Sequence, residues 1–291
     1  MVSLNDIIKA GDRMAAMPAS VARVTSMLAT GKTDPEELSG IIKSDEVLTA
    51  AVLRRANSVA FGSAGKVFDL RQSVVRLGTK NLTHVVMEQK ATDVFGDSGS
   101  AFGLARGALW RSGVGGAVGA ELLAKKASPA DADLAYVAGL LRDIGKIALD
   151  AFFGDHYFKL LAPHSDPTRS FVEVERLALG FDHAHVGQAM GHKWGLPERL
   201  CNAIRYHHEP PAPGAERHDI LNDLVHAADA VCLWAGLAVG HDGMAYTLAP
   251  HVRESLALTR HEAEREIAHV WTEVKSIEQS LNAPVAQEKS A

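Results

Sequence analysis

Apolar residues recur at helical spacing along most of this chain, and the alternating β-branched runs that would read as strands are scarce. The clearest start is Asp34-Pro35-Glu36-Glu37, where Asp can cap, Pro fits the first helical position and acids occupy the first turn, before Leu38, Ile41 and Ile42. A second helix is predicted from about Ser44 to Asn57, carried by Val47, Leu48, Ala51 and Val52. Gly62, Gly65 and Asp69 mark loop, and Leu70 to Leu77 and Asn81 to Val94 read as two helices divided at Gly78. The small turn residues of Gly96 to Ser100 are the best place for a division between lobes.

Beyond that division the pattern predicts helices over about Ala101 to Lys126, Ala130 to Phe153, Ser170 to Leu179, His183 to Trp194, Pro197 to His207 and His218 to Val239. Pro210-Pro211-Ala212-Pro213-Gly214 is a rigid connector. A last amphipathic helix over 250–282 carries Ala263, Ile267, Val270, Val274, Ile277 and Leu281 at spacings of 4, 3, 4, 3 and 4, followed by a frayed tail over 283–291. That spacing fits a homodimer seam, and it also fits a helix docked along its own domain. The second is favoured because the repeat falls short of three or four heptads.

Composition narrows the classes. With 291 residues and 47% hydrophobic content, a substantial core is expected. Thirty basic residues against 35 acidic ones give no footprint for a phosphate backbone, so nucleic acid is not an expected partner. The longest apolar run, Ala230 to Gly240, is about half of the roughly 20 residues that a membrane span requires. The N-terminus lacks the pattern of an export signal, and Cys201 and Cys232 suit reduced structural thiols, so a cytoplasmic address is expected.

Fourteen histidines invite a search for metal, but no His-Glu-x-x-His motif or paired zinc-spaced cysteines occur. Nucleophile elbows and phosphate loops are also missing. Gly113, Gly116, Ala117 and Ala120 read instead as a close helix-packing face. Trp110 and Trp194 read as core anchors, and Asn57 as a buried hydrogen-bonding group between lobes. Any metal site would have to be assembled from residues distant in sequence, among which the densest histidines are His183, His185, His192, His207 and His208.

Several ordered motifs then converge. They are Met17-Pro18, Asp45-Glu46-Val47-Leu48-Thr49, Arg55 to Gly62, Leu109-Trp110, Ala138 to Lys146, Gly180 to Gly187, Trp194-Gly195-Leu196-Pro197 and Ala203 to His208. Together they resemble the bacterial HDOD family, over roughly Met14 to Val239. The resemblance implies an all-α, two-lobed helical HDOD fold whose C-terminal lobe is related to HD-domain phosphohydrolases. The expected organisation is an HDOD domain at 10–239, with an N-terminal lobe at 10–98 and an HD-like lobe at 99–239.

In active relatives an early His, a His-Asp doublet and a late Asp hold the metal, and two-metal members add further histidines. Carried onto this chain, the early His position is Ser112, the doublet is Arg142-Asp143 and the late Asp is Asp229, while His183, His207 and His208 match the added histidines. Arg142 is always protonated and is no ligand, and Ser112 is a poor one, so no metal, cofactor or catalytic residue is expected. Arg142 is instead expected to replace the metal's charge by pairing with Asp143 or Asp229; the alternative has it pointing outward, with Asp143 capping locally. Lys146 is either a solvated charge or a phosphate holder, and the ends of His207 and His208 fit either a ligand role or a helix terminus.

The resemblance implies a non-catalytic scaffold acting through protein partners in bacterial signal transduction, often near cyclic-di-GMP machinery. Two alternatives stay open. One is a metal-dependent HD-type phosphohydrolase with a rearranged site built from Asp143, His183, His207, His208 and Asp229. The other is a nucleotide-sensing module whose vacated pocket uses Arg142, Lys146 and the histidines.

Overall fold

The computed structural model describes residues 2–14, 18–61, 66–67, 69–96, 98–237, 240 and 246–282. Among them there is no strand, and the architecture is all-α. The expected loop marks Gly62 and Gly65, and the tail at 283–291, lie outside the described residues.

The N-terminal part contains α1 (Leu4–Met14), α2 (Ala19–Ala29), α3 (Pro35–Lys43), α4 (Glu46–Ala56) and α5 (Leu70–Phe95). Asp34 caps α3 by accepting from the backbone N–H groups of Glu36 and Glu37, and Asp45 caps α4 in the same way through Val47 and Leu48. The expected break at Gly78 is a kink within α5, where φ is +70°. Asn57 works within this part and not between lobes: its amide donates to the Val67 carbonyl at 2.7 Å and accepts from the Val67 N–H at 2.8 Å.

The second part contains α6 (Ala108–Ala127), α7 (Ala132–Leu141), α8 (Ile144–Phe153), α9 (His156–Leu161), α10 (Phe171–Leu179), α11 (His183–Lys193), α12 (Glu198–Tyr206) and α13 (Ile220–Trp234). α6 starts later than the pattern predicts, because Gly103 and Gly107 adopt φ of +71° and +74° and turn the chain before it. The predicted helix from Ala130 to Phe153 is two helices, broken at Arg142-Asp143. The predicted helix to Val239 ends at Trp234, before Gly236 at φ +70°.

The predicted C-terminal helix is also two, α14 (Pro250–Ser255) and α15 (Arg260–Asn282). Along α15, Val270, Val274 and Ile277 are buried, and the helix packs on α6, α13 and α4. Trp271 donates its indole N–H to the Ala235 carbonyl at 2.7 Å. The heptad face that would have formed a dimer seam is spent inside the chain.

One continuous core runs from Ile7 on α1 to Ile277 on α15. Trp110 is buried in it, Trp194 packs against it half-buried, and Cys201 and Cys232 are buried free thiols. Burial pushes those thiols up to about 11 and about 12, which keeps them unreactive. No helix among the described residues is long and apolar enough to cross a membrane.

Candidate functional site: a guanidinium between two helix crossings

Two glycine-lined crossings place the Arg142-Asp143 break. Where α6 meets α7, a Cβ on Gly139 would lie 2.3 Å from the Gly116 carbonyl oxygen, and one on Gly116 would lie 2.0 Å from Arg142 Nη1. Where α8 meets α11, a Cβ on Gly145 would lie 1.9 Å from the His183 carbonyl oxygen. Backbone therefore touches backbone on both sides of the doublet, and the side chains between have little freedom.

Arg142 is fully buried and points inward, which excludes the outward alternative. Its Nε–H donates to Asp229 on α13 at 2.6 Å, and its Nη2–H donates to the Ser112 hydroxyl at 2.6 Å. Nη1 donates to the Ser112 and Gly139 carbonyls at 3.0 and 2.9 Å, and Nη2 also lies 3.5 Å from Asp143 Oδ2. Four of the five N–H groups of the guanidinium make hydrogen bonds, and the Asp143 carboxylate stands beside the Nη2 that carries the fifth. Burial works against its charge, but Asp229 and Asp143 outweigh that and raise its pKa. Buried and holding four hydrogen bonds within the chain, Arg142 is poorly placed to receive a ligand phosphate.

Asp143 makes no capping bond to α8, so the local-cap alternative also fails. Its Oδ1 lies 2.8 Å from Lys146 Nζ. Burial would raise the Asp143 carboxyl, and Lys146 and Arg142 overcome this and hold it far below the usual range. Lys146 is buried, with its ammonium 5.7 Å from the centre of the Phe102 ring, and is not the solvated charge considered above.

The three histidines converge on the other side of Asp143, with ligand nitrogens within 4.8 Å of one another. His183 Nδ1 pairs with Glu175 at 2.7 Å, and its Nε2 hydrogen-bonds His208 Nε2 at 2.8 Å. Burial lowers the pKa of His183, but Glu175 more than offsets it and the net shift is upward. His207 donates Nδ1–H to the Ile204 carbonyl at 2.7 Å, which leaves the lone pair on Nε2. That nitrogen is buried, has no hydrogen-bond partner and lies 3.8 Å from Asp143 Oδ1. Burial pushes the His207 imidazole down to about 4. The two rings are thus part of the pocket as well as the end of α12. His185 pairs with Asp182, and His192 with Glu198, outside this cluster.

The pocket has two halves with different fitness for metal. Around Asp229 and Ser112 the guanidinium fills the place a cation would need. Around Asp143, His183, His207 and His208 the donor set suits a single transition metal, and the orphaned His207 nitrogen is the observation behind that fit. The expectation of no metal does not account for this second half.

Several contributors were not visible in the sequence. Glu175 orients His183 and also accepts from the Tyr157 hydroxyl at 2.5 Å; its only signal is an acid at an inward position of α10. Tyr246 reaches the same pocket, where its hydroxyl lies 3.1 Å from His226 Nδ1 and donates to the His226 carbonyl at 3.3 Å.

A family model of the HDOD domain matches residues 14–210. The chain belongs to the HDOD domain family. Its fold is similar to that of an HDOD domain protein with unknown function from Geobacter sulfurreducens, at 24% identity and TM-score 0.73, covering 96% of this chain and 98% of that one. It is also similar to a protein from Marinobacter aquaeolei VT8 named for signal transduction, at 22% identity and TM-score 0.72, covering 97% of this chain and 61% of that one. An uncharacterized protein of Treponema pallidum (strain Nichols) is 22% identical over 220 residues, which are 74% of this chain and 42% of that protein. The chain thus spans less than half the length of that relative. The HDOD match stops before α13, yet Asp229 from α13 holds Arg142, so the HDOD pocket is completed by residues beyond the matched span.

Proposed function

We propose that this HDOD protein is a non-catalytic scaffold in bacterial signal transduction, working through protein contacts. The observation that carries the reading is the buried Arg142 guanidinium, bonded to Asp229 and Ser112 where a metal-dependent hydrolase needs a cation with an open coordination position. A guanidinium supplies the charge that joins the helices, but it cannot bind and acidify a water nucleophile. The name of the Marinobacter protein supports the signalling context, and a cyclic-di-GMP network belongs to the same proposal.

One observation favours a second reading. The unpartnered His207 Nε2 beside Asp143, His183 and His208 suits one metal, which when bound would supply Lewis acidity at that half of the pocket. The nucleotide-sensing alternative gains no comparable support, since Arg142 is buried with its guanidinium bonded to Asp229, Ser112 and Gly139 and Lys146 faces Asp143.

The test is turnover of bis-p-nitrophenyl phosphate and cyclic-di-GMP by protein stripped with chelator and then loaded with manganese, iron or zinc. No turnover above an Asp143→Asn control is expected. Metal-dependent turnover that disappears in Asp143→Asn overturns the non-catalytic reading. A thermal-shift titration with cyclic-di-GMP checks the sensing alternative, since ligand at about 100 times its Kd stabilises by roughly 2.7 kcal/mol.

A further inference from the structure

A second titratable cluster lies at the other end of α7, where the proposed scaffold function does not reach. His84 from α5, Glu121 from α6 and Asp133 from α7 offer ligand atoms within 4.8 Å of one another. Asp133 and Arg142 are separated by nine positions along the chain, about 13 Å of helical rise, so this is a different place from the Arg142 pocket. It also joins helices from both parts of the fold.

The informative group is His84. It is only 9% exposed, and its Nε2 is buried without a hydrogen-bond partner, 3.9 Å from Glu121 Oε1. Its ring lies flat on Tyr136, with centroids 3.7 Å apart and planes within 3°, so the direction of Nε2 is fixed by packing. An oriented imidazole with an unsatisfied nitrogen beside two carboxylates is what a transition-metal site requires.

A cation already serves the carboxylates. The Lys80 ammonium pairs with Glu121 and lies 3.5 Å from Asp133 Oδ1, while Lys125 lies 3.3 Å from the other Glu121 oxygen. Both lysine side chains are substantially exposed, at 41% and 48%, so each ammonium can withdraw into water. Neither lysine donates a hydrogen bond to His84 Nε2, whose lone pair stays unsatisfied beside them. Zinc bond lengths put tetrahedral ligand atoms about 3.3 Å apart, so the 3.9 Å gap between His84 and Glu121 has to close by only roughly half an ångström.

We propose that His84, Glu121 and Asp133 form a zinc site that displaces Lys80 and clips α5 to α6 and α7, with water completing the coordination. The clip stands against a buried relay, since Tyr136 donates to Glu88 at 2.6 Å, and Glu88 pairs with Arg55, whose Nε lies 3.3 Å from Ser280 Oγ on α15. A metal here therefore ties the two parts of the fold at the same place as the C-terminal helix.

Calorimetric titration of zinc into chelator-stripped full-length protein tests this, using a His207→Ala/His208→Ala background so that the other histidine cluster is silent. One equivalent of zinc is expected. It should vanish in His84→Phe, which keeps the ring stack on Tyr136 but has no nitrogen, and weaken in Glu121→Gln. Lys80→Gln should bind zinc roughly tenfold tighter or more, because a competing unit charge about 4 Å away has been removed. Should the background variant fold poorly, His84→Phe in the otherwise unchanged chain must remove one equivalent. Zinc stoichiometry unaffected by His84→Phe, no binding in the parent, or unchanged affinity in Lys80→Gln overturns the site.

Discussion

Arg142 shows how one side chain can decide both architecture and chemistry. Removing it leaves Asp229 buried without its cation, and breaking a buried pair in this way typically costs about 3–5 kcal/mol. Arg142→Ala is therefore expected to lower the urea midpoint by a corresponding amount, and an unchanged midpoint would show that the guanidinium pins nothing. Arg142→Lys should recover little, because an ammonium cannot reach Asp229, the Ser112 hydroxyl and two carbonyls in one plane. At this scale the sequence was informative where chemistry is carried by residue type: Arg142, Asp143, Asp229 and the three histidines are all in the pocket. It was silent where the partner is a backbone carbonyl, as at Ser112 and Gly139, or a distant carboxylate such as Glu175, because neither leaves a local pattern.

At the scale of elements, the break that the pattern missed between α7 and α8 has a tertiary cause. Apolar periodicity runs almost unbroken from Ala130 to Phe153, yet the chain turns at Arg142-Asp143 because the buried ion pairs and the two glycine crossings outweigh local propensity. The crossings are directly testable. Gly139→Ala would put a methyl 2.3 Å from the Gly116 carbonyl oxygen, a clash with backbone, and should cost at least the roughly 1–3 kcal/mol usual for overpacking, read as a lowered urea midpoint.

A surface tie between elements gives a pH signature. Arg199 on α12 donates to Asp131 before α7 and to Asp219, the cap of α13. These bonds hold the Asp219 carboxyl below its ordinary value, and for Asp131 they do so against burial. A depressed carboxyl stabilises the fold above its unfolded pKa of about 3.9 and loses that contribution as pH falls through the folded value. Arg199→Met should thus be less stable than wild type at pH 7, and the gap between the two urea midpoints should narrow as pH falls below the unfolded value and through the depressed folded ones. A constant gap across that range would assign the effect of Arg199 to packing.

On the scale of the whole molecule, the turn cluster at 96–100 divides the chain more clearly than it divides the structure. Asp150 of α8 accepts from the backbone N–H groups of Gly99 and Ala101, α1 packs on α8 and α11, and the hydrophobic core is continuous across both parts. α15 then closes the assembly by packing on α4, α6 and α13. Two roles for its heptad face predict opposite outcomes for Val274→Asp, which places a charge at a position only 1% exposed. If α15 were a detachable seam between copies, the variant would change sedimentation and leave unfolding alone. Since the face is part of the core, an unpaired buried carboxylate must be protonated or forced out, at a cost borne by the whole fold. The expected result is a large fall in melting temperature, with far-UV circular dichroism and tryptophan fluorescence shifting together as one transition; separation of the two probes would mean that α15 unfolds independently of the body it straps.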